Sequence, residues 1–491
     1  MSDISPSLVW LRDDLRLADN PALSAAVDSG GPVAICYVLD EESDGIRPLG
    51  GAARWWLHNS LKALASDLIE HGVQLILRRG SAKAVVLQLT EELGARAVHW
   101  NRRYGQAERS LDAAVKEALR ATGVTAESHQ GSLLYEPWTI RSSTGGPYSV
   151  YTPFARACRT SGTSGTPRIP LPRPRSLTAD QHRVASDSLA DWELLPTHPD
   201  WAGGLRERWT PGERAASTRL RAFLDEQLDE YAEGRDHPAW DATSHLSPHL
   251  RWGEISPFQV WNAVQHAHRA GTHHREGHQR FLDELLWREF CYHLLFHWPN
   301  LAHANFDTRF NSFPWGHSDA EKIDAWRQGH TGYPLVDAGM RELWRTGYMH
   351  NRVRMVTASF LIKNLLVDWR VGEHWFWDTL VDADPASNAA NWQWVAGSGA
   401  DAAPFFRVFN PVTQSKKFDS EGDYLRANVP ELARVEGSAV HEPWLLEDTL
   451  TTEAARYPAR IVDLKQTRAR ALEAFTVVKN TPRALTRTDD N

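Results

Sequence analysis

Short apolar runs alternate with amphipathic stretches over the first 134 residues. Leu8 to Leu11, Val33 to Leu39, Val73 to Leu77 and Ala97 to Trp100 are mostly apolar segments of strand length. Ala53 to Glu70, Ala82 to Leu93 and Glu108 to Ala121 repeat their apolar positions at helical spacing. Strands separated by helices of that length predict a parallel, doubly wound α/β sheet domain of Rossmann-like type over residues 1–134. No GxGxxG follows the first strand, so a nicotinamide site is not predicted. Between Arg156 and Asp200, Pro167, Pro170, Pro172, Pro174, Pro196 and Pro199 stand among Ser, Thr and Gly, which predicts an irregular linker over 135–210. From Pro211 strand signals nearly vanish and helical periodicity takes over, with Ser256 and Pro257 reading as a helix start. A larger all-α domain is predicted over 211–480 and a polar tail over 481–491.

Composition adds bounds. At 491 residues the chain exceeds what one hydrophobic core supports, which agrees with two domains. Cys36, Cys158 and Cys291 are odd in number and lack metal-ligand spacing, so no metal is expected and a reducing, cytoplasmic setting is. The N-terminus shows no signal-peptide pattern and no 18-residue apolar stretch occurs, so neither secretion nor membrane insertion is predicted. The net charge of −8 argues against non-specific coating of nucleic acid. Local balance differs: Arg341, Arg345, Arg352, Arg354, Lys363 and Arg370 outnumber Glu342 and Asp368, although a solvated helix face would give the same excess. Thirteen of the 22 tryptophans lie between Trp240 and Trp394, more than core packing of a helical domain normally asks for.

Four segments can carry chemistry. Glu284, Trp287 and Arg288 fall at i, i+3 and i+4 and bring a carboxylate, an indole and a guanidinium to one helix face, as a salt-bridged surface helix also would. Asn351 and Met355, four apart, set an amide beside a thioether, which suits a flat heteroaromatic ligand and also occurs in plain cores. Asp382, Asp384, Asn388, Asn391, Trp392 and Trp394 crowd acids, amides and indoles around Pro385. Thr243 to Ser247 supplies hydroxyls and amides just before a helix, an arrangement that cradles phosphate oxygens and that alone is only a cap.

Together these segments resemble the photolyase and cryptochrome family over nearly the whole chain. Trp10, Arg12, Asp14, Arg16, Asp19 and Asn20 resemble its opening strand and loop, and Gly146 to Phe154 its domain boundary. Gly332 to Arg341 and Ala402 to Arg407 resemble its C-terminal domain. The resemblance implies an antenna domain followed by a helical FAD-binding catalytic domain that splits cyclobutane pyrimidine dimers in UV-damaged DNA, acting as a monomer. It assigns Tyr231, Thr243, Ser244, His245, Leu246 and Ser247 to the FAD phosphates, with Arg288 and Arg354 beside them. Asp382 and Asp384 would bound the isoalloxazine and ribitol, and Asn388 would face flavin N5. Trp287 and Trp394 would sandwich a flipped dimer, with Glu284, Asn351 and Met355 touching its bases. Arg352, Arg407, Lys416 and Lys417 are its candidate phosphate contacts, and Trp392, Trp369 and Trp315 its electron-transfer chain from flavin to surface.

Two rival readings share the fold. Plant cryptochromes carry an acid where this chain has Asn388, so Asn388 and the short tail predict repair over signalling. Repair enzymes for the (6-4) photoproduct carry histidine near the lesion, where this chain has Asn351 and Met355. A second, antenna chromophore is implied without being identified. Folate-binding relatives have an Asn-Glu pair after Tyr104, and Gln106-Ala107-Glu108 keeps only the acid, which leaves methenyltetrahydrofolate in another pose, a deazaflavin or no antenna open. The segment Arg251 to Pro257 leans toward the branch nearer plant cryptochromes.

Overall fold

A computed structural model describes residues 5–160, 167–180, 184–269, 271, 275–316, 319–402, 406–446 and 454–482. Residues 403–405 of the 402–407 segment and most of the predicted tail lie outside that set.

The first domain is a parallel five-stranded sheet, β1 (Ser7–Leu11), β2 (Val33–Leu39), β3 (Leu75–Arg79), β4 (Ala97–Asn101) and β5 (Thr125–His129), ordered β3-β2-β1-β4-β5. Helices Pro21–Asp28, Gly51–Ile69, Ala82–Glu92 and Gln106–Ala121 connect the strands. β1 and β2 are buried along their whole length, as a sheet covered on both faces requires. β5 was not anticipated from the hydrophobic pattern because its sequence, Thr-Ala-Glu-Ser-His, is that of a half-exposed edge strand.

The proline-rich stretch is not wholly irregular. Helix Tyr151–Thr160 forms inside the predicted linker and packs Phe154 against Phe290 at 5.3 Å between ring centroids. Beyond it the chain runs along the β3 edge, where the Leu77 amide donates to Ser186 Oγ (3.0 Å) and the Asp187 amide to the Leu77 carbonyl (2.8 Å), covering the strand's free polar groups.

The second domain is helical, with separate apolar clusters around Trp326, Trp369 and Trp392 and around Phe281, Leu286 and Phe290. Its junction with the sheet is buried and mixes apolar packing, where Trp209, Trp252 and Val381 join the cluster of Trp56 and Leu61, with hydrogen bonds. Arg251 donates to the Ala383 carbonyl (2.7 Å) and to Asp13 (2.8 Å), while the Trp252 indole donates to the Val381 carbonyl (3.2 Å). Gly253, at φ +64°, lies so close to Asp13 that a Cβ would sit 2.1 Å from its carbonyl oxygen. The 251–257 segment therefore joins the loop after β1 to residues 381–383. Among the described residues no helix is long and apolar enough to cross a membrane.

Candidate active site

A cavity of about 440 Å³ opens in the helical domain. Glu284, Trp287, Arg288, Asn351, Arg352, Arg354, Met355, Asp382, Asp384, Asn388, Trp392 and Trp394 all line it, so three of the four chemistry-bearing segments converge there. Their convergence follows from local structure. Residues 284, 287 and 288 project from one face of helix Arg275–His297, and Asn351 and Met355 from one face of helix Asn351–Ser359. Pro385 breaks the chain between Leu380 and helix Ser387–Ala396, and Asp384 accepts the Ala386 (2.9 Å) and Ser387 (2.6 Å) amides to start that helix. The other Asp384 oxygen accepts the Tyr292 hydroxyl (2.6 Å).

Thr243 to Ser247 does not line the cavity but reaches it through Asp382. Ser247 Oγ donates to Asp382 Oδ2 (2.7 Å), and the same carboxylate takes both terminal nitrogens of Arg354 (3.2 and 2.9 Å). His245 is buried at φ +49°, beside Tyr348 and bonded to Asp241 at 2.8 Å. Thr243 Oγ1 lies 3.4 Å from its ring, and Ser244 Oγ accepts the Leu246 amide at 3.4 Å. Leu246 and Tyr231 are buried in the neighbouring apolar cluster, Tyr231 edge-on to Phe281. Arg288 bonds the Ser132 carbonyl (2.9 Å) and does not share the Asp382 network with Arg354.

Asn388 is fixed by its amide nitrogen, which donates to the Glu373 carbonyl (3.0 Å) and to Glu373 Oε1 (2.8 Å). With both hydrogens used, the amide keeps its oxygen as the remaining polar atom for a ligand. Glu373, 2% exposed at the side chain, is in turn gripped bidentately by Arg47 (2.7 and 2.9 Å), which reaches over from the first domain and stacks on Trp377. Trp287 lies flat on Tyr151 at 3.6 Å and 6°, which backs one face of the indole, and the Trp394 indole donates to the Asp401 carbonyl (3.0 Å). Glu284 pairs with Arg235, a cavity residue that caps the C-terminus of the short helix Tyr231–Gly234, and not with Arg288 four residues on.

The basic residues behave differently from a phosphate-binding strip. Arg352 is bidentate to Asp236 (2.8 and 2.8 Å), Arg341 pairs with Glu431, Arg370 with Asp368, and Lys363 is buried on the Arg407 carbonyl. The excess of charge over 340–370 is thus consumed largely inside the protein, contrary to a solvated face. Burial lowers the Lys363 ammonium to about 7. Lys416 pairs with Glu442. Arg407 and Lys417 line a second groove of about 450 Å³ that shares Arg352 and Met355 with the main cavity, and among the described residues neither pairs with a carboxylate.

Of the three tryptophans, Trp392 and Trp369 are buried and Trp315 is half-buried. Trp392 lines the cavity, 2% exposed, with its indole nitrogen buried and unpartnered. Trp369 is fully buried and donates to Asn305 (2.9 Å), and Trp315 is half-buried against Phe313. Gly372, one turn from Trp369, lets the Trp392 ring lie on helix Trp369–Thr379; a Cβ there would meet Trp392 at 2.1 Å. In the first domain Glu108, the acid kept from the folate-type pair, folds back over Gly105, where a Cβ would meet its carboxylate at 2.2 Å.

The cavity suits a large, flat, polar-edged ligand: indole and Phe376 walls, an acid-guanidinium pair at Asp382 and Arg354, an amide oxygen at Asn388 and an orphaned buried indole N–H. Arg235, Tyr151, Arg47 and Glu373 escaped the sequence reading as functional positions. Residues 281–477 match the family model described as the FAD binding domain of DNA photolyase, and residues 7–175 the one described as DNA photolyase. A deoxyribodipyrimidine photo-lyase of Agrobacterium fabrum is 52% identical over 97% of this chain and 99% of its own length. Cryptochrome-1 of Arabidopsis thaliana is 36% identical over 96% of this chain and 70% of its own length. The crystal structure of a bacterial class III photolyase from Agrobacterium tumefaciens superposes with a TM-score of 0.92 at 51% identity, covering 97% of this chain and 98% of that one.

Proposed function

The chain belongs to the DNA photolyase family, and from that premise we propose that its cavity holds FAD and that the protein uses light to split cyclobutane pyrimidine dimers in UV-damaged DNA. The observation that carries the reading is the convergence of Glu284, Trp287, Asn351, Met355 and Trp394 on the cavity that Asp382, Arg354 and Asn388 also line.

The two C–C bonds that close the cyclobutane ring carry no leaving group to protonate and are not opened by attack at a base carbonyl, so reversal needs an electron lent and returned. That is the chemistry reduced, photoexcited FAD supplies. The protein's part is binding and orientation. Arg354 and Ser247, joined by Asp382, and the Thr243 to Ser247 segment would hold the phosphates, Asp384 would bound the ring system, and the Asn388 oxygen would meet the flavin N5 edge. Trp287, stiffened by Tyr151, and Trp394, anchored on Asp401, offer two aromatic surfaces for the extruded lesion. Glu284 and Asn351 would bond its base edges, Met355 would press on the ring, and Arg407 and Lys417 in the adjoining groove would take strand phosphates. Trp392, Trp369 and Trp315 would carry electrons inward from the surface. Repair is favoured over signalling by the amide, not an acid, at Asn388.

The test is reconstitution. The purified protein should carry or take up about one FAD per chain, and its absorption spectrum, read also for a folate or deazaflavin, reports any antenna. A colourless protein that cannot be reconstituted with FAD would remove the premise of the mechanism.

A further inference from the structure

Three side chains on the β4–β5 edge of the first domain meet outside the cavity. In the parallel register His99 lies opposite Glu127 and Asn101 opposite His129, and Glu127 and His129, two apart, share one face of β5. His99 Nδ1 is 3.2 Å from His129 Nε2 and 3.9 Å from Glu127 Oε2, and the three ligand atoms all lie within 4.8 Å of one another. We propose that His99, Glu127 and His129 form a three-ligand site for a borderline divalent transition cation of the zinc class, with its fourth position open to solvent.

Geometry is the first argument. Zinc bonds to imidazole at about 2.0–2.1 Å, and a tetrahedron with such bonds has edges of about 3.3–3.4 Å. The imidazole nitrogens already stand at nearly that edge, held by two paired strands and not by a loop. The Glu127 oxygen must close in, by about half an ångström towards His99 Nδ1 and by up to about 1.4 Å towards His129 Nε2 to reach that edge, and Glu127 has an exposed side chain, 55% against 6% for His99. Its surroundings are open, since Glu127 borders a shallow groove with Arg120 and residues 123–126.

Ligand chemistry is the second. Two imidazoles and one carboxylate select zinc, cobalt, nickel or copper over magnesium or calcium, which call for all-oxygen shells. Three protein ligands leave a coordination position for water or for a donor from another molecule, as in exchangeable sites. In the metal-free protein the two rings share one proton between facing nitrogens; a cation takes its place, which puts the ring protons on His99 Nε2 and His129 Nδ1. Of the nearby cations, Arg102 is paired with Glu136 (3.0 and 2.6 Å), whereas Lys116 bonds the neutral Ser128 Oγ (3.1 Å) and Arg120 borders the same groove as Glu127. The ligands come from separate strands, which is why no local ligand spacing announces the site.

The experiment is calorimetric titration of the chelator-treated flavoprotein with zinc chloride at neutral pH, beside His129→Ala and Glu127→Gln. Both changes lie on an edge strand outside the cavity, and flavin content and circular dichroism report that the variants are folded. Cobalt chloride provides a second readout through visible bands to the red of oxidised flavin. The wild type should bind one equivalent, with affinity about tenfold or more lower in each variant and the cobalt bands lost. Binding that is undiminished in both variants, carried by others of the 22 histidines, or no one-equivalent binding in the wild type, overturns the proposal.

Discussion

Replacing Glu373 with alanine tests how Asn388 is held. Asn388 Nδ2 loses its bond to Glu373 Oε1 (2.8 Å) but keeps the one to the Glu373 backbone carbonyl (3.0 Å), so the amide is loosened and not released. A net hydrogen bond is worth about 1 kcal/mol. If half to all of that reaches the flavin edge through a less constrained Asn388 oxygen, the one-electron midpoint potential should fall by about 20–40 mV. Arg47 loses its buried partner as well. Removing one member of a buried pair costs about 3–5 kcal/mol, but Arg47 is 26% exposed and retains its stack on Trp377 at 4.1 Å, so about 2 kcal/mol is expected. Spectroelectrochemistry on the reconstituted protein and chemical unfolding separate the two effects. Glu373→Gln preserves an acceptor for Asn388 and should leave the potential near wild type, and Arg47→Ala should destabilise without moving it. Equal shifts in Glu373→Ala and Glu373→Gln, or a shift in neither, would refute the positioning argument.

Glu284→Ala should lower the quantum yield of dimer splitting at saturating DNA more than it weakens binding, because its contact strengthens as charge builds on the bases while stacking on Trp287 and Trp394 persists; an unchanged yield would make Glu284 only the partner of Arg235. Trp392→Phe should slow photoreduction of oxidised FAD and spare repair by chemically reduced protein, with equal loss of both counting against an electron-transfer role. Glu289 is buried, and desolvation raises its carboxyl to about 7 against Arg288 and the Tyr135 amide. Its folded pKa exceeds the unfolded one, so its contribution is fully present below about pH 4.5 and is lost as pH rises through 7. Glu289→Gln should therefore gain up to about 3 kcal/mol over wild type at pH 8 in unfolding experiments, and the gain should vanish by pH 4.5.

Much of the fold was readable because its signals are local. β1 and β2 are unbroken apolar runs, and the helices between strands carry their period openly. β5 was missed because an edge strand with a polar sequence lacks that signal, and helix Tyr151–Thr160 because the prolines beyond it dominated the segment. The site was readable where one helix face gathers its residues, as at Glu284, Trp287 and Arg288. Arg47 and Glu373 lie 326 positions apart, and Arg235 is followed by no periodic pattern, so nothing local marks them. Charge counting misled for the same reason: Arg352 and Arg341 meet Asp236 and Glu431, carboxylates that only the tertiary structure brings beside them.

The central claim is light-driven repair in this cavity. Reduced, FAD-loaded protein is mixed with oligothymidylate carrying cyclobutane dimers, and recovery of thymine absorbance is followed under blue light and in the dark, beside a substrate carrying (6-4) photoproducts. Recovery in the light alone, and on the cyclobutane substrate alone, is the predicted result. No light-dependent recovery by the fully reduced holoprotein, or recovery only on the (6-4) substrate, would contradict it.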